Sequence, residues 1–295
     1  MRVALQCFPC FLRQALIAAQ QVSNDPLVQK QFIDLALGPI EEASMEETPA
    51  HVATRVYRKI AEKLDGKDPF RELKHKYTRV ALEMMRELQP ILDRSDDPLD
   101  TAIRTSVAGN VIDFGIFSHV DNNVLMRHVL QDEFGAFSKD SLESDLESCR
   151  SILFLADNAG ELVFDRPLIS YLLRFASVDV VVKSVPVIND ATIEDADESE
   201  LPTGIRVLEN GSDCVGTILS TCSDELQRAF GEADVIISKG QANFETLDDV
   251  SDANIYFLFK AKCEVTAGVA GVAEGSLVAL SNRFLPAKDA PPEAG

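Results

Sequence analysis

The chain has 295 residues, a formal net charge of -20 and a hydrophobic share of 46%. That share supplies a sizeable core for one large domain or two modest ones, and the charge excludes a nucleic-acid backbone as partner, because phosphate would be repelled. No apolar run approaches the roughly 20 residues that a membrane span needs, and the N-terminus lacks a signal-peptide cleavage pattern, so the sequence reads as a soluble, cytoplasmic protein with a solvated acidic surface.

The chain opens with "CFPCFLRQAL", which sets Cys7 and Cys10 three apart around Pro9 at a predicted helix start. The other four cysteines, Cys149, Cys214, Cys222 and Cys263, are scattered. A disulfide framework is not expected in a long chain without a secretory signal. A single CxxC can be a redox couple, half of a metal site or core. The four histidines, His51, His75, His119 and His128, stand alone on predicted helices and read as surface or satisfied core.

The first half is predicted to be helical. "TPAHVATRVYRKIAEKLDG" carries Thr48 as N-cap, Pro49 at the first helical position and Gly66 as a stop. Val52, Val56, Ile60 and Leu64 recur at four-residue spacing on one face. A second amphipathic helix is predicted from Asp68, and a third from Asp97 that breaks at Gly109.

At about Ser151 the pattern changes to short β-branched runs: "SILFLA", "VDVVVKS", "IRVLE", "DVIIS", "NIYFLF" and "SLVALS". Helically spaced stretches lie between several of them. Near-continuous apolar strands alternating with helices predict an α/β fold, a Rossmann-like mostly parallel sheet covered by helices. The expected organisation is a helical N-terminal domain over residues 1–150, an α/β metal- and phosphate-binding domain over 151–285, and a Pro- and Ala-rich disordered tail over 286–295.

Open parallel sheets bind ligands beyond the carboxyl ends of their strands. After "SILFLA" the chain carries Asp157, Asn158, Gly160 and Glu161, with Asp165 further on. After "VDVVVKS" it carries Asn189, Asp190, Glu194, Asp195 and Asp197. After "DVIIS" come Lys239 and Gly240. Three strand ends thus deliver acids, amides and a lysine to one rim, provided the strands are neighbours. Oxygen donors without Cys or His suit Mg²⁺ or Mn²⁺, and converging carboxylates repel one another unless a cation neutralises them. A lysine beside such a cation suits a phosphate, and the glycines would let backbone N–H groups approach it. Simple N-capping by Asp157 or Asn158, and by Asp190 or Thr192, is the alternative at any single strand end.

The blocks "LADNAGELVFD", "VPVINDATIEDAD" and "SKGQANFETL" resemble the signatures of the metal-dependent damage-control phosphatases, the family catalogued as domain of unknown function 89. "AIRTSVAGNVIDFG" and "CFPCFLRQAL" are similar to two further blocks, the second belonging to a prokaryotic subfamily with an N-terminal CxxC. The resemblance runs from Cys7 to Phe244 in family order. It implies a hydrolase of small phosphorylated metabolites, sugar phosphates or damaged phospho-metabolites, that uses a divalent ion such as Mn²⁺, Mg²⁺, Co²⁺ or Ni²⁺. It places the metal on Asp157, Asn158 and Asp195 and matches the family's lysine to Lys239; Lys239 and Asp157 are the residues expected to be catalytic. It adds Asn110 and Asp113 from the helical side of the substrate pocket, to which the strand-end reading itself contributes Gly160, Glu161, Asp190, Lys239 and Gly240. It supplies no role for Cys7 and Cys10.

The chemistry expected is phosphomonoester hydrolysis by positioning and electrostatics, with either metal-bound water or the Asp157 carboxylate as nucleophile. Two other functions compete. A dinucleotide-dependent oxidoreductase would use the same sheet, but acids stand where its glycine fingerprint should be. A non-catalytic redox or metal-binding adaptor would depend on Cys7 and Cys10 instead. The sequence names neither the substrate nor the oligomeric state.

Overall fold

The computed structural model describes residues 1–111 and 132–287. Its centre is a seven-stranded sheet: β1 (Phe134–Phe137), β2 (Ser151–Leu155), β3 (Ser177–Val182), β4 (Arg206–Glu209), β5 (Val235–Lys239), β6 (Ile255–Lys260) and β7 (Leu277–Ser281). The spatial order is β1-β7-β6-β5-β2-β3-β4. All neighbouring pairs are parallel except β6 with β7. The expected mostly parallel α/β fold is therefore present. Every residue of β5 and β7 is buried, as continuous apolar runs require of strands covered on both faces.

The first α/β unit starts earlier than residue 151. β1 and helix 139–146 lie within the stretch 1–150 read as a mostly helical N-terminal region, and β1 pairs with β7. One face of the sheet is closed by helices 98–111, 139–146 and 161–172 through residues such as Ile103, Leu142, Phe154 and Ile169. The other is closed by helices 224–232, 241–247 and 264–270 around Phe244, Phe257 and Phe259. The N-terminal helices Cys7–Val22, Pro26–Glu41 and Pro49–Lys63 form a separate core. That core also takes in Val187 and Val215, which lie in the loops after β3 and β4, so the helices sit over the carboxyl side of the sheet. Helix Arg71–Leu92 packs through Met84, Met85 and Leu88 on Val163 and Phe164 of helix 161–172.

Local chemistry sets these boundaries. The Thr48 side chain accepts from His51 N and Pro49 opens the helix; Gly66, at φ +72°, follows its end. The next helix begins at Arg71 rather than Asp68, because the Asp68 carboxylate turns back to accept from Phe70 N. Helix 98–111 runs through Gly109 instead of breaking there. A Cβ at Gly109 would lie 2.9 Å from Phe164 Cβ, so the missing side chain serves a close helix–helix approach. The Asp113 position and the tail from 288 lie outside the described residues.

Placing a Cβ and two methyls into that contact by Gly109→Val is expected to cost about 1–3 kcal/mol from overpacking. Urea unfolding of the variant checks this; unchanged stability would contradict the close approach.

Candidate active site

β2 lies between β3 and β5. The chain runs from β2 outward to β3 and β4, then returns to β5 on the other side of β2, so the order reverses between β2 and β5. The three acid-, amide- and lysine-bearing strand ends are thus neighbours. The loop after β2 and the loop after β3 are also joined by their backbones. Ala159 N donates to Asn189 O at 3.0 Å, Ala191 N to Asp157 O at 2.8 Å, and Asn158 and Asp190 form an antiparallel bridge. This fixes Asp190 beside Asp157 and Asn158.

Around Asp157 the polar side chains interlock. Its Oδ2 accepts from Asn110 Nδ2 at 2.9 Å and from Asn158 Nδ2 at 2.8 Å. The same two amides donate to Glu161 Oε2 at 3.0 and 3.1 Å. Asn158 Oδ1 accepts from Asn189, and Asn110 Oδ1 from Lys260 N at 3.1 Å. Helix 161–172 has Gly160 at its N-cap without a side-chain cap, so neither Asp157 nor Asn158 is there to cap it. Gly160 instead makes room for the helix 71–92: a Cβ would stand 3.1 Å from Tyr77 Cβ.

Lys239 does not face the rim. It is fully buried, and its ammonium donates to Glu161, to Asp165 Oδ1 at 2.7 Å and to Ser106 O at 3.1 Å. All three donors are taken, so the lysine expected to meet a phosphate holds the layer behind Asp157 together. Gly240 likewise does not offer its amide to an anion, because that N–H donates to Leu258 O at 3.0 Å. With φ at +79°, Gly240 leaves the space that Asp157 fills; a Cβ there would lie 2.0 Å from Asp157 Oδ2.

Asp195 has a different environment from Asp157. It completes a capping box with Thr192, accepting from Thr192 N at 2.9 Å and Thr192 Oγ1 at 2.7 Å, and it binds the buried Lys74 at 2.9 Å. Lys74 also pairs with Asp68 at 2.8 Å. The acid that the fold brings to Asp157 is Asp190, held by Lys183 at 3.5 Å.

The electrostatics single out one group. Burial, then the Glu161 and Asp190 charges, push the Asp157 carboxyl well above the usual carboxylate range. Burial also raises Asp190, against the pull of Lys183 and Lys74, and raises Asp165 to about 6 despite Lys239. Burial opposes the charge on Lys239, but Asp165 and Glu161 outweigh it and hold its pKa up. Glu161, Asp165 and Asp190 each have a lysine partner; among the described residues Asp157 has no ion pair.

Asp157, Asn158, Asn189 and Asp190 open onto a cavity of about 680 Å³ whose opposite wall is helix 7–22. Lys262 is the one lysine or arginine among its described lining residues, and it acts on Asp157 electrostatically. Lys262 is not among the residues selected from sequence; Asn189 is among the rim residues but is given no role. Lys262 sits just past the end of β6, so the strand-end rule that found "DNAGE" would have reached it. Cys7 and Cys10 line the same cavity, with Cys263 and Glu245.

Among the described residues no three His, Cys, Asp or Glu side chains are placed to hold a metal ion. The donors present are two carboxylates, Asp157 and Asp190, and the Asn158 amide oxygen. This all-oxygen set fits a hard divalent ion that keeps several waters, and a cation would relieve the repulsion that raises Asp157.

Comparison with known proteins places the chain in context. The sequence model of the damage-control phosphatase ARMT1-like domain matches residues 3–278. An uncharacterized protein of Methanocaldococcus jannaschii is 33% identical, covering 95% of each chain. A damage-control phosphatase of Archaeoglobus fulgidus is 34% identical over 95% of this chain and 99% of its own. One from Pyrococcus horikoshii is 32% identical over 96% and 99%. The crystal structure of a DUF89 family protein from Pyrococcus horikoshii superposes with a TM-score of 0.87 at 30% identity, covering 96% of this chain and 99% of that one.

Two predictions come from these buried charges. Lys74→Met strips the cation from Asp68 and Asp195, and unfolding measurements should show a loss of about 3–5 kcal/mol; a neutral change would contradict the buried pair. Burial raises the Glu245 carboxyl to about 7 from an ordinary 4.5. Between those values the folded state binds more protons than the unfolded chain, so this group's contribution to stability falls as pH rises from 4.5 to 7. Glu245→Gln should flatten that part of the stability–pH curve, and an unchanged slope would remove the assignment.

Proposed function

The chain belongs to the damage-control phosphatase ARMT1-like family, and from that premise we propose that it hydrolyses phosphomonoesters of small metabolites in the cavity above Asp157, using a divalent metal ion. Sugar phosphates and damaged phospho-metabolites are the proposed substrates, and Mn²⁺, Mg²⁺, Co²⁺ or Ni²⁺ the proposed ion. The observation that carries this reading is Asp157: a half-buried carboxylate, without an ion pair to lysine or arginine among the described residues, opening on a cavity beside a second carboxylate and a solitary lysine. The oxidoreductase and adaptor readings are not favoured by the family match. Among the described residues no helix is long and apolar enough to cross a membrane, in keeping with the proposed cytoplasmic site of action.

Asp157, Asn158 and Asp190 would hold the ion, which when bound supplies charge withdrawal from the phosphoryl oxygens. The rest is done by the chain. Asn110 and Asn158 hold Asp157 Oδ2 by two hydrogen bonds, which sets the carboxylate plane. Glu161 keeps both amides in register and is itself anchored by Lys239. Lys262 supplies the positive charge that draws and orients a phosphoryl group within an acidic protein. The N-terminal helices wall the cavity from bulk water.

Asp190→Asn is expected to weaken Mn²⁺ binding by roughly tenfold or more and to abolish turnover of a phosphomonoester, with some loss of stability because the buried Lys183 keeps only carbonyl partners. Asp195→Asn should lower stability and leave Mn²⁺ affinity in place. Titration calorimetry of both variants discriminates; the reverse pattern would assign the ion to Asp195. Lys262→Met should raise KM for a phosphomonoester about 10–100-fold, the loss of one charge-assisted contact, and an unaffected KM would remove Lys262 from the pocket.

A further inference from the structure

Outside the acid–amide network, the cavity has a second chemical character. Cys7, Cys10 and Cys263 all line it, and all six cysteines of the chain are free thiols. Cys7 is the first residue of helix Cys7–Val22 and Cys10 lies one turn on. Helix geometry puts the Cα atoms of such an i, i+3 pair about 5 Å apart, inside the window that a disulfide spans. Pro9 between them lacks an N–H that the first helical turn would leave unpaired in any case. The two thiols differ in access: Cys10 is exposed and Cys7 is buried.

The third thiol is held elsewhere. Gln241 Nε2 donates to Glu245 Oε1 at 2.8 Å and reaches Cys263 Sγ at 3.8 Å, and Cys263 Sγ lies 3.4 Å from Thr266 Oγ1. Cys263 is thereby fixed to helix 241–247 and its own helix, while among the described residues Cys10 Sγ has only the 3.8 Å approach of Gln14 Nε2. The buried Glu245 carboxylate lies within electrostatic reach of Cys7 and Cys10. Burial, then Glu245 and Cys263, disfavour a thiolate at Cys7, and the nearby Glu245 charge opposes one at the exposed Cys10. A disulfide has neither charge nor proton, so the surroundings that penalise a thiolate accept it.

We propose that Cys7 and Cys10 form a dithiol–disulfide site in the wall of the catalytic cavity, oxidised by low-molecular-weight disulfides and coupled to substrate binding. Cys10, the accessible thiol, attacks one sulfur of the disulfide RSSR, forming a mixed disulfide and releasing RS⁻, which takes up the proton Cys10 gives. Cys7 then attacks the Cys10 sulfur, the second RS⁻ leaves with the Cys7 proton, and the Cys7–Cys10 bond closes. Two protein thiols are oxidised, one RSSR is reduced to two RSH, and protons balance. The new bond draws the Cys10 sulfur inward from the cavity mouth and reshapes the wall that faces Asp157 and Lys262. The coupling to substrate rests on the phosphatase reading; the thiol chemistry does not.

The test uses the full chain equilibrated with oxidised glutathione, followed by thiol counting, peptide mapping by mass spectrometry, and KM for p-nitrophenyl phosphate. The expected result is loss of two of the six thiols, a mapped Cys7–Cys10 disulfide, and a several-fold rise in KM that a dithiol reductant reverses. In Cys10→Ser the disulfide and the oxidation-dependent KM change should both be absent. Six thiols that persist, or a disulfide that maps to Cys10–Cys263 or elsewhere, overturns the site. A Cys7–Cys10 disulfide with unchanged KM overturns its coupling to the cavity. A protein without phosphatase activity would instead fail the functional reading, while the thiol count and peptide map still decide the disulfide.

Discussion

The arrangement turns on one imbalance of charge. The carboxyl ends of three adjacent strands, with the helix after β2, gather the buried Glu161, Asp165 and Asp190 around the half-buried Asp157. Charges removed from water at such a density must be paired, protonated or bound to a cation. Lys239 serves Glu161 and Asp165, and Lys183 serves Asp190. Asp157 receives amide hydrogen bonds instead, from Asn110 and Asn158. Two amides orient a carboxylate but do not neutralise it. The protein thus maintains a specific, pre-oriented deficit of positive charge at the floor of a cavity, the condition a divalent ion and a phosphoryl group together satisfy.

Maintaining that deficit explains features far from it. Gly240 has a left-handed backbone because any side chain there would occupy the Asp157 carboxylate. The antiparallel bridge between Asn158 and Asp190 ties two loops that the sheet alone would leave independent. Helix 98–111 delivers Asn110 to the rim through the close Gly109–Phe164 contact. The N-terminal helices then form a wall, bringing a pair of thiols into the proposed site, whose hydrolytic chemistry would not require sulfur.

The fold was readable because it follows from local patterns, and so was the rim where the polar strand ends of β2, β3 and β5 meet. Continuous apolar strands announce a covered parallel sheet, and polar residues just past them announce a rim. What each side chain does there depends on three-dimensional pairing that one-dimensional spacing cannot show. Lys239 and Asp195 sit in polar strand-end blocks like Asp157, yet Lys239 points back into the layer beneath and Asp195 turns to its own helix N-terminus and Lys74. Asp190, five residues before Asp195, is the one zipped to Asn158. Gly109 looked like a helix stop because a glycine's packing role appears only when its neighbour is known. Lys262 was within reach of the strand-end rule, and Cys263 followed it into the cavity wall.

The central claim is that Asp157, Asn158 and Asp190 form the cation site. Anomalous diffraction at the manganese edge from crystals equilibrated with Mn²⁺ tests it most directly. The account predicts one dominant peak in the cavity beside Asp157, Asn158 and Asp190. A peak beside Asp195, or manganese only on the acidic exterior, would contradict it.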